Sequence, residues 1–348
     1  MSVSSGFSCS VTGYRGFESE ILRLRNANRD VAETVEYLNW RYQSDVDAPA
    51  VRVFWLHSDS GYRIGMASVI FRRYWIDGDR THAAIVGDIS LDSVWRGRGL
   101  GQLLLRFMTD YLEDHFPEHP AFVIPTEAAR RSFAEIGWTT PGKLIPYVYL
   151  LDPTRYVRPV VRSEAVATAI VTRTRDVARR LARRLVRDGN SLQILDNPDD
   201  PALVAFLREL PKLKGSALHD FGPRFLTWRY AQHPRIRFRI AKLVRNREVL
   251  AFLVFEQDAD ARSCLVFDLV AATPPDLLCM LALFILRALS EPGLTTVRVL
   301  LDSLHPDRAS LRRLGFVPRR SESVFQVHSL SGIAERVSWR VTLGDKDT

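Results

Sequence analysis

The turn Arg96-Gly97-Arg98-Gly99-Leu100-Gly101-Gln102 is the stretch of this chain whose residue types and spacing most directly offer chemistry. It follows a β-type run, Ala84 to Leu91, through Asp92-Ser93-Val94-Trp95, and it opens an amphipathic helix. The first amides of a helix have no partner inside it and point outward. The helix dipole adds partial positive charge at the same place. Such a turn favours a phosphate or pyrophosphate. Glycines at 97, 99 and 101 let the backbone come close and take angles that a side chain forbids, while Arg96 and Arg98 add charge. The Gly-Lys-Ser/Thr ending of a Walker loop is missing. The strands before the turn form a meander, and no acidic residue ends a following parallel strand, so a dinucleotide fingerprint does not fit either.

The elements that must hold this turn are read from an internal echo. Around position 40 the chain reads EYLNWRYQSDVDAP, and around position 228 it reads RFLTWRYAQHPRI. Each is followed by three strand-like runs punctuated by turn residues, which predicts an antiparallel meander in each copy. A helix follows in both. In the first, Leu100, Leu103, Leu104, Phe107, Met108, Tyr111 and Leu112 recur at helical spacing. In the second, Leu277 to Leu289 is apolar on most faces and belongs deeper in a core. Short strands and short helices then end alike, at Gly137-Trp138 and Gly315-Phe316, with glycine where a helix C-cap turns left-handed. Closing strands follow at Tyr147 to Leu151 and Val324 to His328. The fold class expected is α/β (α+β), with two tandem domains, each a mixed, mostly antiparallel central sheet flanked by helices. Residues 1–155 form the first domain, 156–190 a basic amphipathic connector helix, and 191–348 a degenerate second domain. In the connector, Val166, Ile170, Val177, Leu181 and Leu185 form an apolar stripe, read as packed on a domain; the alternative is a peripheral contact with an anionic membrane.

With these elements in place, the sequence resembles the GNAT superfamily of acyl-CoA-dependent acyltransferases. Its pyrophosphate motif, Arg/Gln-x-x-Gly-x-Gly/Ala, is matched by Arg96, Gly99 and Gly101, and ISLDSVWRGRGLG looks like the family's usual lead-in. The resemblance covers residues 17 to 152 well; residues 192 to 330 resemble the family through the order of elements and the echo. It implies acyl-CoA, most simply acetyl-CoA, as co-substrate. Ile89, Ser90 and Leu91 would bond the pantetheine arm, with Arg96, Gly97, Arg98, Gly99, Leu100, Gly101 and Gln102 around the pyrophosphate. Thr126 and Phe133 fall where the family's later helix carries an Asn and a proton-donating Tyr; Phe133 has no proton to give. A general base is needed for an amine acceptor, and Asp88 is the candidate, with His82, His57 and Tyr147 in reserve. Asp268 stands at the matching place in the second copy, which also allows Asp88 a structural role. The repeated Trp-Arg-Tyr triplet reads as a packing device, or as an acceptor pocket in which Arg41 and Tyr42 hold an acidic group. The second copy has Ala271-Ala272-Thr273-Pro274-Pro275 where the glycine turn would be, a poor phosphate cradle.

Composition sets the frame. The chain has 348 residues, 46% hydrophobic and 25% charged, as in a globular protein of ordinary domains. A net charge of +8 favours anionic partners: a small anionic acceptor is expected, and nucleic acid is not. Three scattered cysteines exclude a disulfide framework, and no His/Cys spacing suits a metal. With neither signal peptide nor membrane span legible, a cytoplasmic home is the expectation. Three activities remain open: acyl transfer from acyl-CoA to an amine or hydroxyl, non-catalytic acyl-CoA or partner binding, and aminoacyl-tRNA-dependent transfer.

Overall fold

The computed structural model describes residues 6–43, 48–161, 163–195, 197–210, 214–258, 262–321 and 323–346. In the first half the order is β1 (Ser8–Thr12), α1 (Glu18–Asn26), α2 (Val35–Arg41), β2 (Arg52–His57), β3 (Arg63–Ile76), β4 (Asp79–Leu91), α3 (Leu100–His115), β5 (Ala121–Val123), α4 (Glu127–Glu135) and β6 (Thr139–Leu150). Two helices, α5 (Thr154–Val157) and α6 (Glu164–Leu185), lead into the second half. There follow β7 (Asn190–Leu195), α7 (Pro201–Glu209), β8 (Ser216–His219), α8 (Pro223–Leu226), β9 (Arg239–Arg245), β10 (Glu248–Asp258) and β11 (Ser263–Ala271). The chain closes with α9 (Pro274–Ala288), β12 (Thr296–Asp302), α10 (Arg308–Leu314), β13 (Val317–Pro318), β14 (Val324–His328), α11 (Ile333–Arg336) and β15 (Ser338–Trp339).

Each half builds the meander its alternation requires: β1 to β4 pair antiparallel in sequence, and so do β9, β10 and β11. Leu100, Leu104, Leu105, Met108 and Leu112 give α3 one apolar face, buried against Phe54, Val69 and Phe71. The second-half counterpart, α9, is buried on most sides from Leu277 to Ala282, as its all-round apolar sequence demands.

The two halves trade their closing strands. The sheet runs β1-β2-β3-β4-β5-β14-β6-β12-β11-β10-β9-β7. The last strand of the second half, β14, therefore lies beside β5 of the first half. Reciprocally, the second part of β6, Leu144 to Leu150, pairs with β12 of the second half. The first part of β6 returns to β14. Neither half completes its own sheet, so the continuous sheet crosses the boundary between them.

Helix α6 packs differently from the sequence reading. Its buried residues are the small Ala167 and Ala182, with Ala178 and Leu185 against the second-half core. Val166, Ile170, Val177 and Leu181 are exposed. The side that docks is the one whose short side chains allow close approach. Among the described residues no helix is long and apolar enough to cross a membrane.

Candidate active site

The site grows from a parting of strands. β4 and β5 are parallel neighbours only from Ala84 to Val86 and Ala121 to Val123. Beyond that they separate, because β4 carries a bulge: Met66 faces Ser90 and Ser68 faces Gly87, which leaves Asp88 and Ile89 opposite one residue. Asp88 sits at φ 55°, a left-handed conformation that Asp tolerates better than most residues. The parting opens a groove of ≈ 1190 Å³ from the strand vertex to the glycine turn.

At its far end the turn is built as an anion cradle. Gly97 and Gly99 have φ of 75° and 76°, and Gly99 is the N-cap of α3. The first hydrogen bonds back into the helix start are made by Gln102 and Leu103, both to the Gly99 carbonyl. The amides of Leu100 and Gly101 therefore point out of the helix end. A Cβ added at Gly97, Gly99 or Gly101 would meet no atom within 4 Å, so open space stands where a pyrophosphate would lie. A diphosphate thus fits the turn.

Ile89, Ser90, Leu91, Arg96, Gly97, Gly99, Leu100, Gly101, Gln102 and Thr126 line this groove together. Arg96 is anchored by the Leu91 carbonyl and the Asn28 side chain. Thr126 caps α4 with its hydroxyl. Two residues expected here are elsewhere. Arg98 does not line the groove; its guanidinium lies over the Trp95 ring. Phe133 is fully buried in the first-half core, edge-on to Trp138. Its neighbour Ser132 faces the groove instead, with Arg131 and Glu135. In α4 the apolar ring is drawn inward, which rotates the preceding residue toward the groove.

The reading of Asp88 as a general base is corrected by its partners. Its carboxylate accepts from Arg41 Nε (3.0 Å) and Nη2 (2.8 Å), Tyr42 Oη (2.8 Å) and Ser68 Oγ (2.9 Å). Arg25 and Arg29 also pair with it. Asp88 lines the groove, but both its oxygens are engaged by the chain's own cations and hydroxyls. Arg41 and Tyr42 are engaged by Asp88 as well, and Arg41 also lines the small cavity between the halves. Of the reserve candidates, His57 bonds Ser10, and His82 and Tyr147 are strand residues.

The second half repeats the tyrosine-to-aspartate bond of this arrangement and changes the other partners. Tyr230 Oη donates to Asp268, as Tyr42 does to Asp88. Arg229, the counterpart of Arg41, instead donates to the carbonyls of Gly344 and Lys346. A segment near the end of the described chain is thereby held against Asp268. Thr342 Oγ1 lies 2.5 Å from Asp268 Oδ1 and 3.3 Å from Asp345 Oδ2. Asp345 also accepts from Tyr74 Oη (2.6 Å) and the Thr342 amide (2.9 Å). Burial, with Asp345 nearby, pushes the Asp268 carboxyl up to about 7; burial raises Asp345 too. Asp345 and Lys346 line the groove, and they also line a small cavity between the halves with Arg72, His219 and Arg229. No sequence signal marked this segment, because it carries no motif and reaches the site only through the fold.

At the second-half helix start the cradle is closed. Thr273 caps α9 and donates to Asp276 at 2.5 Å, so the protein's own carboxylate sits where an anion would. Among the described residues no cluster suits a metal ion.

Comparisons with known proteins agree with this architecture. A solved structure described as a GCN5-related N-acetyltransferase from Anabaena variabilis is 12% identical, with a TM-score of 0.63 over 92% of this chain and 72% of that one. A probable N-acyltransferase from Enterococcus faecalis is 10% identical, with a TM-score of 0.66 over 93% and 72%. A GCN5-related N-acetyltransferase from Kribbella flavida is 14% identical, with a TM-score of 0.58 over 93% and 73%. At these identities the likeness is one of fold. No curated protein matches the chain in sequence. The family profile described as Acetyltransferase (GNAT) family matches residues 19–138, the span that holds the bulged strand, the glycine turn and α4. The groove and its glycine turn thus lie largely within the stretch that the acetyltransferase (GNAT) family profile matches.

Proposed function

We propose that this chain transfers an acyl group, most simply acetyl, from acyl-CoA to an amine of a small anionic acceptor. The observation that supports this reading is the groove itself, with bare amides at its far end and parted strands leading away from them. Arg96 and the amides of Leu100 and Gly101 would hold the diphosphate. The separated edge of β4, from Ile89 to Leu91, would offer its backbone to the pantetheine amides. The co-substrate supplies an activated thioester, and the chain's own residues position it at the vertex of the two strands. The basic lining beside that vertex, Arg72, Arg229 and Lys346, favours an acceptor bearing carboxylate or phosphate.

The test is Gly101→Leu. Gly101 has an ordinary φ and open space at its Cβ, so the substitution leaves the helix unstrained while its side chain enters the cradle. Acetyl-CoA affinity by calorimetry should fall about tenfold or more, a loss of about 1.4 kcal/mol. Thiol release from acetyl-CoA with β-alanine or 2-aminoethyl phosphate should fall with it. Unchanged affinity defeats the groove assignment, and tight binding with no thiol release by the unaltered protein leaves a binding module rather than an enzyme.

A further inference from the structure

With Asp88 neutralised by its arginines, the groove needs another group to accept a proton from an amine, and one stands at its vertex. We propose that Asp345, carried by the second half, is the general base for the groove of the first half, and that it works as one unit with Asp268. The proposal rests on the acyltransferase reading and names the residue that completes that site.

Three observations carry it. Asp345 belongs to both openings: it lines the groove and the small inter-half cavity, so it stands where a thioester and an acceptor would meet. Asp345 as a residue is half-buried, although its carboxyl lies in a desolvated place, whereas Asp88 and Asp268 are buried residues. Second, the two carboxyls converge on one hydroxyl, an arrangement that a shared proton would satisfy. The Thr342 hydroxyl has one hydrogen and lies between Asp268 Oδ1 and Asp345 Oδ2. It can donate to one carboxylate; to bond the other, it must accept from a protonated acid. Two carboxyls joined in this way share one proton, because burial and mutual repulsion oppose a second negative charge. Third, the cavity side holds a buried imidazole. His219 is 6% exposed and lines the same cavity, and no side chain is hydrogen-bonded to its ring nitrogens. Burial and the Arg72 and Arg229 charges hold this imidazole well below its usual pKa, so it is neutral. A neutral imidazole beside a carboxylate can receive an acceptor's polar group at either nitrogen, according to tautomer.

The groups facing the pair come from every element around it. Tyr74 reaches from β3 and Tyr230 from the turn before β9, both donating hydroxyls. Arg229 and Arg72 add positive charge, and Thr342 joins the carboxyls. None of these withdraws Asp345 into the bidentate pairing that occupies Asp88. Two tyrosine donors and a distant guanidinium stabilise one negative charge while leaving the proton mobile.

The chemistry balances as follows. The acceptor enters as an ammonium group, and one N–H proton passes to the Asp345 carboxylate. The freed nitrogen lone pair attacks the thioester carbonyl carbon, so a C–N bond forms and the C–S bond breaks. Sulfur leaves with the electron pair. The second proton lost by nitrogen goes to that thiolate, giving free thiol and amide. The proton held by the carboxyl pair returns to solvent through the groove, so each turnover releases one proton.

The experiment compares Asp345→Asn with the unaltered chain, using acetyl-CoA and two probe nucleophiles. β-Alanine is an ammonium ion near neutral pH and needs a base; hydroxylamine is already neutral and does not. Asp345→Asn should bind acetyl-CoA within about twofold of the unaltered chain and lose about a hundredfold or more of its β-alanine rate, in the range of a general base. Its hydroxylamine rate should stay within about threefold. Asp268→Asn should move the acid limb of the β-alanine pH–rate profile while leaving the hydroxylamine profile in place, as expected of a positioning residue. The proposal is overturned if Asp345→Asn keeps its β-alanine rate, or if both rates fall together with acetyl-CoA affinity. If the unaltered chain releases no thiol with either nucleophile, the acyltransferase reading fails instead.

Discussion

The Trp40 and Trp228 indoles hold each other by reciprocal hydrogen bonds: Trp40 Nε1 donates to the Trp228 carbonyl at 2.8 Å, and Trp228 Nε1 to the Trp40 carbonyl at 2.7 Å. The rings stack with centroids 5.4 Å apart and planes 22° from parallel. Both residues are buried. The repeated Trp-Arg-Tyr triplet is therefore the pseudo-symmetric joint between the halves, and each copy meets the other across it.

Replacing either tryptophan with phenylalanine keeps most of the stacking and removes one buried indole-to-carbonyl hydrogen bond, though the Trp40 carbonyl keeps the Gln43 amide. Each single variant should lose about 1–3 kcal/mol in urea unfolding. The double variant should lose less than the sum, since one stack serves both residues. Strict additivity would mean that the two indoles do not form one joint.

The traded strands predict how the chain unfolds. β5 lacks its second neighbour without β14, and β12 lacks one without β6. Fragments 1–155 and 156–348, produced separately, should show no cooperative urea transition by fluorescence or circular dichroism. Refolded together, they should recover one transition. A fragment that folds alone with a sharp transition would contradict the interlock.

Much of this was legible in the sequence where the signal is local. The left-handed glycines and bare amides of the turn are legible because they are set by the residues of the turn itself. The meanders follow from alternation, and the deep burial of α9 follows from its apolar run. What was not legible depends on distant partners. Arg25 and Arg29 sit about sixty positions before Asp88 in the chain, and no spacing rule says that they converge on it. The exchange of β6 and β14 escapes pattern reading, because alternation shows that a strand exists but not which strand it joins. Phe133 and Ser132 differ by one residue on a helix, about a hundred degrees of rotation, enough to turn a groove position into a core one.

Asp88→Asn separates structure from catalysis. The neutral amide would leave Arg41 buried without its counter-charge, and removing one partner of a buried pair costs about 3–5 kcal/mol. We expect a large fall in stability by urea unfolding, and the groove to lose its bulge geometry as a consequence. A residue acting only as a base would instead lose turnover with stability intact, and that outcome would restore the original reading of Asp88.

The Asp268–Asp345 pair makes stability depend on pH in a direction opposite to most carboxylates. Asp268 is held near 7 in the folded chain, against an ordinary value of 3.8. Between those values the folded state binds more protons than the unfolded one, so stability falls as pH rises. The contribution is fully present below pH ~4 and is lost as pH passes through ~7. The three-unit shift is worth at most about 4 kcal/mol, and because the two carboxyls titrate as a pair the single-site change will be smaller. Asp268→Asn cannot ionise and keeps an oxygen to accept from Tyr230 or Thr342. Its urea midpoint should therefore change less between pH 5 and pH 8 than that of the unaltered chain, with the largest gain at pH 8. Equal pH slopes for the two proteins would show that Asp268 does not hold the pair's proton in the folded state.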